Sequence, residues 1–299
     1  MNKIQVIIPT LNAATTIERH LNLLKNQDIL VIDSSSTDDT VKIAQKLSVD
    51  IVSINQDDFN HATTRNIALN YQADFYLFLT QDAQPVDENL VENLLKSFED
   101  TDIVVSYARQ IPYSSADLIE KFARDTNYPE KSKIKSRKDL ATLGIKTFFN
   151  SNSCAMYRAS YFKKVGGFEE GLIMNEDMEF AACVILNGKK IAYVADAKVY
   201  HSHDYNMSDI FKRYFDIGVF FKTNSWITDE VNQYMKTEST GVKQAMQELR
   251  YLFKIDKSLI PKSFCFSMTK YLAFKLGFYH QKLPKYLRVF LSLHKNWHK

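Results

Sequence analysis

The chain has 299 residues, 45% of them hydrophobic, and a formal net charge of +3. That apolar content suits one large α/β domain with an appendage and excludes a disordered chain. The charge is uneven: from Lys254 onward ten lysines and arginines accompany one acid, Asp256, so the preceding part is net acidic and the tail alone is suited to an anionic surface.

No apolar run is long enough to span a bilayer, and residues 1–9 lack the basic, apolar and small-residue order of a secretory leader, so a cytoplasmic location is expected. Cys154, Cys183 and Cys265 are scattered outside any CxxC spacing and read as buried hydrophobes.

Residues 4–9 (IQVIIP) predict a first strand, followed by a helix with Ile17, Leu21 and Leu24 on one face. Residues 29–32 predict a second strand closed by Asp33, and a capping-rich run leads into a helix with Val41, Ala44 and Leu47 inward. Strands at 51–54 and 75–79 follow, the latter (FYLFL) stopping abruptly on Thr80, Gln81 and Asp82. A helix carrying Leu90, Leu94 and Phe98 leads to a strand at 103–107. Strands alternating with helices predict a mostly parallel, Rossmann-like α/β sheet, with ligands beyond the carboxyl ends of its strands.

Residues 108–149, with a basic run from Lys131 to Lys138, read as a solvated, partly mobile connection. A helix with Met178, Ala181, Ala182 and Ile185 inward starts near Asp177, and a hairpin-like pair at 191–194 and 198–200 ends at His201 and His203. This gives a catalytic domain over residues 1–205. Residues 206–299 form a helical, basic, aromatic-rich extension: Phe211, Phe215 and Phe220, then Phe264, Met268 and Tyr271, then Tyr286 to Leu293, each flanked by lysine or arginine. Such stripes suit an interfacial helix on the inner face of the membrane, and equally helices packed on the body or on a second subunit of a homodimer. Nucleic acid is not expected, because no base-reading motif accompanies the charge.

Asp33, Asp82, Asp177 and the pair His201 and His203 end separate apolar segments at one sheet edge. Each has a local explanation as a cap, a turn residue or a satisfied histidine. Together, a carboxylate and an imidazole can hold Mg2+ or Mn2+ with diphosphate oxygens, whereas zinc fits less well without thiolates. Asp33 can accept from a nucleobase N–H. Asp177, at a helix N-terminus, is expected to stay ionised and act as a weak base late in a reaction. Neither GxGxxG nor GxxxxGK[ST] is present, which argues against a dinucleotide-dependent dehydrogenase and a P-loop NTPase.

In order, VIIPTLN, VIDSSSTDDT, FNHATTRN, FLTQDAQP, GGFEEG, NEDMEF and VYHSH resemble a bacterial family-2 glycosyltransferase of the GT-A fold, over residues 4–203. FNHATTRN, TQDAQP, RQIP and NYP resemble the rhamnosyltransferases of cell-surface polysaccharide assembly. The resemblance implies nucleotide contacts at Thr10, Asn12, Asp33, Arg65, Gln81 and Asp82, a metal on Asp82 and His201, and Asp177 as catalytic base. Glu176, His203 and Arg109 are implied as acceptor-side or supporting residues. Thr80 stands where the family's DxD motif has its first aspartate. The implied reaction is inverting transfer from dTDP-rhamnose to a lipid-linked saccharide, with Mn2+ or Mg2+ as cofactor. Rival expectations are a UDP-hexose donor in the same fold and a non-catalytic membrane scaffold. A sugar nucleotidyltransferase is disfavoured, since PTLNAAT replaces its glycine-rich loop.

Overall fold

The computed structural model describes residues 2–203, 205–235 and 238–298; Met1 and the tail's Lys299 lie outside them. The strands are β1 (Ile4–Thr10), β2 (Asp28–Asp33), β3 (Asp50–Ser53), β4 (Phe75–Leu79), β5 (Gln84–Pro85), β6 (Ile103–Ile111), β7 (Lys133–Lys135), β8 (Cys154–Arg158) and β9 (Lys190–Tyr200). Around them lie α1 (Ile17–Leu23), α2 (Thr40–Lys46), α3 (His61–Asn66), α4 (Leu90–Lys96), α5 (Leu118–Asn127), α6 (Leu140–Leu143), α7 (Ala159–Val165) and α8 (Glu176–Leu186). The chain then turns helical: α9 (Met207–Thr223), α10 (Ser225–Asn232), α11 (Glu238–Ile255), α12 (Ile260–Phe278) and α13 (Lys285–Leu291).

All strands belong to one sheet of order β3-β2-β1-β4-β8-β6-β9-β5, with β7 beside β9. β1 pairs in parallel with β2 and β4, β2 with β3, and β6 with β9, whereas β8, inserted between β4 and β6, runs antiparallel to both. The sheet is covered on both faces, which is why its central strands read as continuous apolar runs. Alternation divides β1 between two cores: Ile7 packs with Phe78, Tyr157 and Phe162, while Val6 and Ile8 pack with Ile17, Leu21 and Leu94. The first core runs on into Phe215, Phe220, Ile227 and Ala273 of α9, α10 and α12. α9 and α12 meet backbone to backbone: a Cβ on Gly277 would lie 1.9 Å from the Phe215 carbonyl oxygen, a contact only glycine allows.

Three local expectations are corrected. Residues 191–200 form one strand, because Ala195–Ala197, read as a turn, are a bulge where the register against β6 jumps from Val194 to Lys198. The span 108–149 is not a solvated connection. It holds α5, capped by the Asp117 carboxylate, and β7, whose Lys135 is buried over the Tyr107 ring and donates to the Phe149 carbonyl. Cys265 is exposed, not buried.

Candidate active site

Because β1, β2, β4, β6 and β9 run the same way, Thr10, Asp33, Leu79, Ile111 and Tyr200 end at one edge of the sheet. β8 runs the opposite way, so the residues that precede it, 150–153, arrive at that edge too. A cleft of about 1070 Å³ opens there, roofed by α5, α9 and α12 and lined by Arg65, Thr80, Asp82, Gln110, Asn152, Glu176, Asp177, His201 and His203, among others. Thr10, Asn12, Asp33 and Gln81 form a shelf beside it. Thr10 Oγ1 lies 3.4 Å from Asp33 Oδ1, and Asp33 Oδ2 accepts from the Ser36 N–H at 3.0 Å. Asn12, held at φ 52°, accepts from the Thr37 N–H at 2.8 Å. Gln81 accepts from the Leu11 N–H at 2.7 Å and donates to its carbonyl at 3.0 Å, so its amide braces the loop after β1.

At one end of the cleft Asp82, His201 and His203 bring one carboxylate oxygen and two ring nitrogens within 4.8 Å of one another. Both histidines stand beyond the end of β9, not on its face. The Gln110 side chain donates to Ser151 Oγ at 2.9 Å, which turns its oxygen toward His201 Nδ1 at 2.7 Å. The His201 proton is thereby assigned to Nδ1, and the Nε2 lone pair faces Asp82 Oδ2 at 3.3 Å. Burial pulls the His203 imidazole down to about 3, so it too offers a lone pair. His203 Nδ1 is 3.9 Å from Asp82 Oδ2. Lone pairs facing a carboxylate repel unless a cation or proton lies between them. This oxygen and nitrogen donor set fits a divalent cation.

The other centre is the start of α8. Glu176 is buried and accepts from Arg65 at 3.0 Å and from the Asn152 amide at 3.0 Å. Asp177 accepts from the Asn152 backbone N–H at 3.1 Å and the Met178 N–H at 2.8 Å. Burial, and then the charge of Glu176, push the Asp177 carboxyl up to about 7. The expectation that the helix N-terminus keeps Asp177 ionised is corrected: desolvation and the like charge outweigh the dipole. Arg65 lines the cleft, and its Nη1 donates to Glu176 at 3.0 Å and to the His61 carbonyl at 3.1 Å, which holds it beside the acids. Arg109 does not line the cleft. Strand alternation sends it to Glu130, 3.2 Å away, and puts Gln110 inside.

Residues 5–166 match the family described as Glycosyl transferase family 2. The chain is 40% identical to the O-antigen chain rhamnosyltransferase RfbN of Salmonella typhimurium, over 99% of this chain and 96% of that one. It is 38% identical, over the same shares, to the O-antigen chain rhamnosyltransferase WbaN of Salmonella anatum. The chain belongs to glycosyl transferase family 2.

The fold of this glycosyltransferase is GT-A. It superposes on the mannosyltransferase PcManGT of Pyrobaculum calidifontis, solved with GDP-Man and Mn2+, with a TM-score of 0.62, 13% identity and coverage of 94% of this chain and 88% of that one. S. aureus TarS 1–349 with UDP gives 0.54 at 17% identity, covering 94% and 92%. Sequence reasoning missed Gln110 and Asn152, which orient the two centres of the glycosyltransferase. Gln110 sits in RQIP, one residue from the arginine singled out; Asn152 is a loop residue before an apolar strand and carries no local signal.

Proposed function

We propose that this glycosyltransferase moves L-rhamnose from dTDP-β-L-rhamnose to a hydroxyl of a lipid-linked saccharide, with inversion, in cell-surface polysaccharide synthesis. The observation that carries the proposal is the near full-length identity to two O-antigen rhamnosyltransferases. Asp33 accepts from the nucleobase N–H, with Thr10 and Asn12 beside it, while Gln81 keeps their loop in place. Asp177 takes the proton of the acceptor hydroxyl. The acceptor oxygen bonds to the anomeric carbon on the face opposite the diphosphate, whose C–O bond breaks and carries its electron pair away with dTDP, leaving an α-rhamnoside. Asp82 and His201, with His203, would hold Mn2+ or Mg2+, whose charge would stabilise the leaving diphosphate. Gln110 keeps the His201 lone pair directed at that site, and Glu176 with Arg65 sets the proton affinity of Asp177.

The test is turnover of a panel of nucleotide sugars by the purified protein with Mn2+, Mg2+ or EDTA. We expect dTDP release from dTDP-rhamnose alone, lost with EDTA and restored by metal. Turnover of a UDP-hexose instead overturns the donor, and EDTA-insensitive turnover overturns the metal role.

The proposal also seats the enzyme on the inner face of the membrane. Among the described residues no helix is long and apolar enough to cross a membrane. α12 exposes Phe264, Met268, Tyr271 and Leu272, and α13 exposes Tyr286 and Phe290 at 71% and 70%. Lysines border the aromatics, Lys257 over Phe253 at 4.4 Å and Lys282 over Tyr279 at 5.2 Å. Exposed aromatics bordered by lysine suit an anionic interface. Phosphatidylglycerol vesicles should bind the protein at low salt and release it near ~0.5 M. Tyr286→Ser with Phe290→Ser should weaken binding by about tenfold or more. If the same pair instead breaks a dimer in solution and leaves vesicle binding unchanged, the face belongs to a second subunit.

A further inference from the structure

Asp216 is fully buried in the middle of α9, yet no lysine or arginine is ion-paired with it among the described residues. Its Oδ2 instead accepts from the backbone N–H groups of Leu293 at 2.9 Å and His294 at 3.3 Å, next to the buried Ser292. Three residues past His294, the chain is fastened again on the far side, where the Trp297 indole N–H donates to the Gly171 carbonyl at 2.7 Å. Gly171 lies in the turn that leads into α8. Residues 292–297 therefore form a strap from α9 to the approach of the helix that carries Glu176 and Asp177.

The strap places His294 in the wall of the cleft, with its ring edge-on to His61 at 5.6 Å. His61 in turn adjoins Arg65, which holds Glu176. We propose that this strap completes the acceptor half of the cleft, and that His294 hydrogen-bonds an acceptor hydroxyl and so positions the acceptor for Asp177. The inference rests on the assignment of Asp177 as base.

Location favours the acceptor over the donor. The nucleoside shelf and the Asp82 cluster lie at the ends of β1, β2, β4 and β9, whereas His294 packs on His61, which is tied through Arg65 to Glu176 at the start of α8. An acceptor hydroxyl must reach Asp177 and therefore lies on that side. The chemistry also matches: a neutral imidazole has one donor and one acceptor nitrogen, as a sugar hydroxyl both donates and accepts. Burial, with Arg213 nearby, pulls the His294 imidazole below its ordinary value and keeps it neutral. The strap is fastened by backbone N–H groups and Trp297, so the His294 side chain can be removed without releasing it.

The experiment compares wild type with His294→Ala and His294→Gln, using whichever donor the wild type turns over, so a wrong donor assignment leaves the comparison standing. The probe acceptors are farnesyl-diphosphate-linked galactose, glucose and N-acetylglucosamine. In His294→Ala the acceptor KM should rise about tenfold while kcat falls far less, and glutamine should recover most of the loss. Binding of the same probes without donor, read by calorimetry, should weaken in parallel. An acceptor KM within twofold of wild type overturns the proposal. So does a fall in kcat and melting temperature with no selective change in KM, which would make His294 structural.

Discussion

Asp177→Asn should abolish transfer, lowering kcat by about 10²–10⁴-fold, the range expected for loss of a general base. Asparagine keeps the size of the side chain and an oxygen for the Asn152 or Met178 N–H, so nucleotide affinity should hold. Turnover within a few-fold of wild type would remove Asp177 as base. The same residue fixes two pH signs. A base must be unprotonated to act, so the wild-type rate should climb as pH rises through about 7, with the slope of one proton. Stability should run the other way. The folded state holds the Asp177 proton up to about 7, while an unfolded aspartate releases it near 4, so folding binds more protons in that window and stability falls as pH rises across it. Asp177→Asn lifts that penalty, and the inactive variant should melt higher than wild type above pH 7. A lower melting temperature there would contradict the raised proton affinity.

The sheet edge was legible because apolar runs ending on polar residues can be read one strand at a time. Period-2 and period-3.6 patterns set the order of strands and helices, and parallel topology then brings Asp82, Asp177, His201 and His203 to one cleft. Three features were not legible, for different reasons. Arg109 and Gln110 differ by one position, and which of them faces inward depends on the register of β6 against its neighbours. Asn152 acts through partners 24 and 25 residues away, so only the antiparallel insertion of β8 reveals it. The proton affinity of Asp177 depends on desolvation and on a neighbouring charge. The sequence shows Glu176 beside it but not that Glu176 is buried and Asp177 half-buried at the cleft wall.

Breaking the Arg65–Glu176 pair should have the largest effect on stability. Both side chains are under a tenth exposed, and removing one partner of such a pair costs about 3–5 kcal/mol, because the other charge stays buried without compensation. The two ways of breaking it should differ with pH. In Glu176→Gln the guanidinium keeps its charge, so the loss should persist across the pH range. In Arg65→Met, Glu176 can take up a proton, its folded pKa then lying above the unfolded value, so the loss should shrink toward acid pH and grow as pH rises. Denaturant melts of both variants at about pH 5 and pH 8 decide this, and parallel losses would mean that Glu176 is not the group being stranded. Glu176→Gln has a second consequence. It removes the negative charge beside Asp177, so the acid limb of its rate profile should move to lower pH than in wild type. A limb that stays in place would leave burial as the sole cause of the raised Asp177 proton affinity. A downward shift would mean that the buried ion pair stabilises the start of α8 and also places one negative charge where it keeps the base near neutrality.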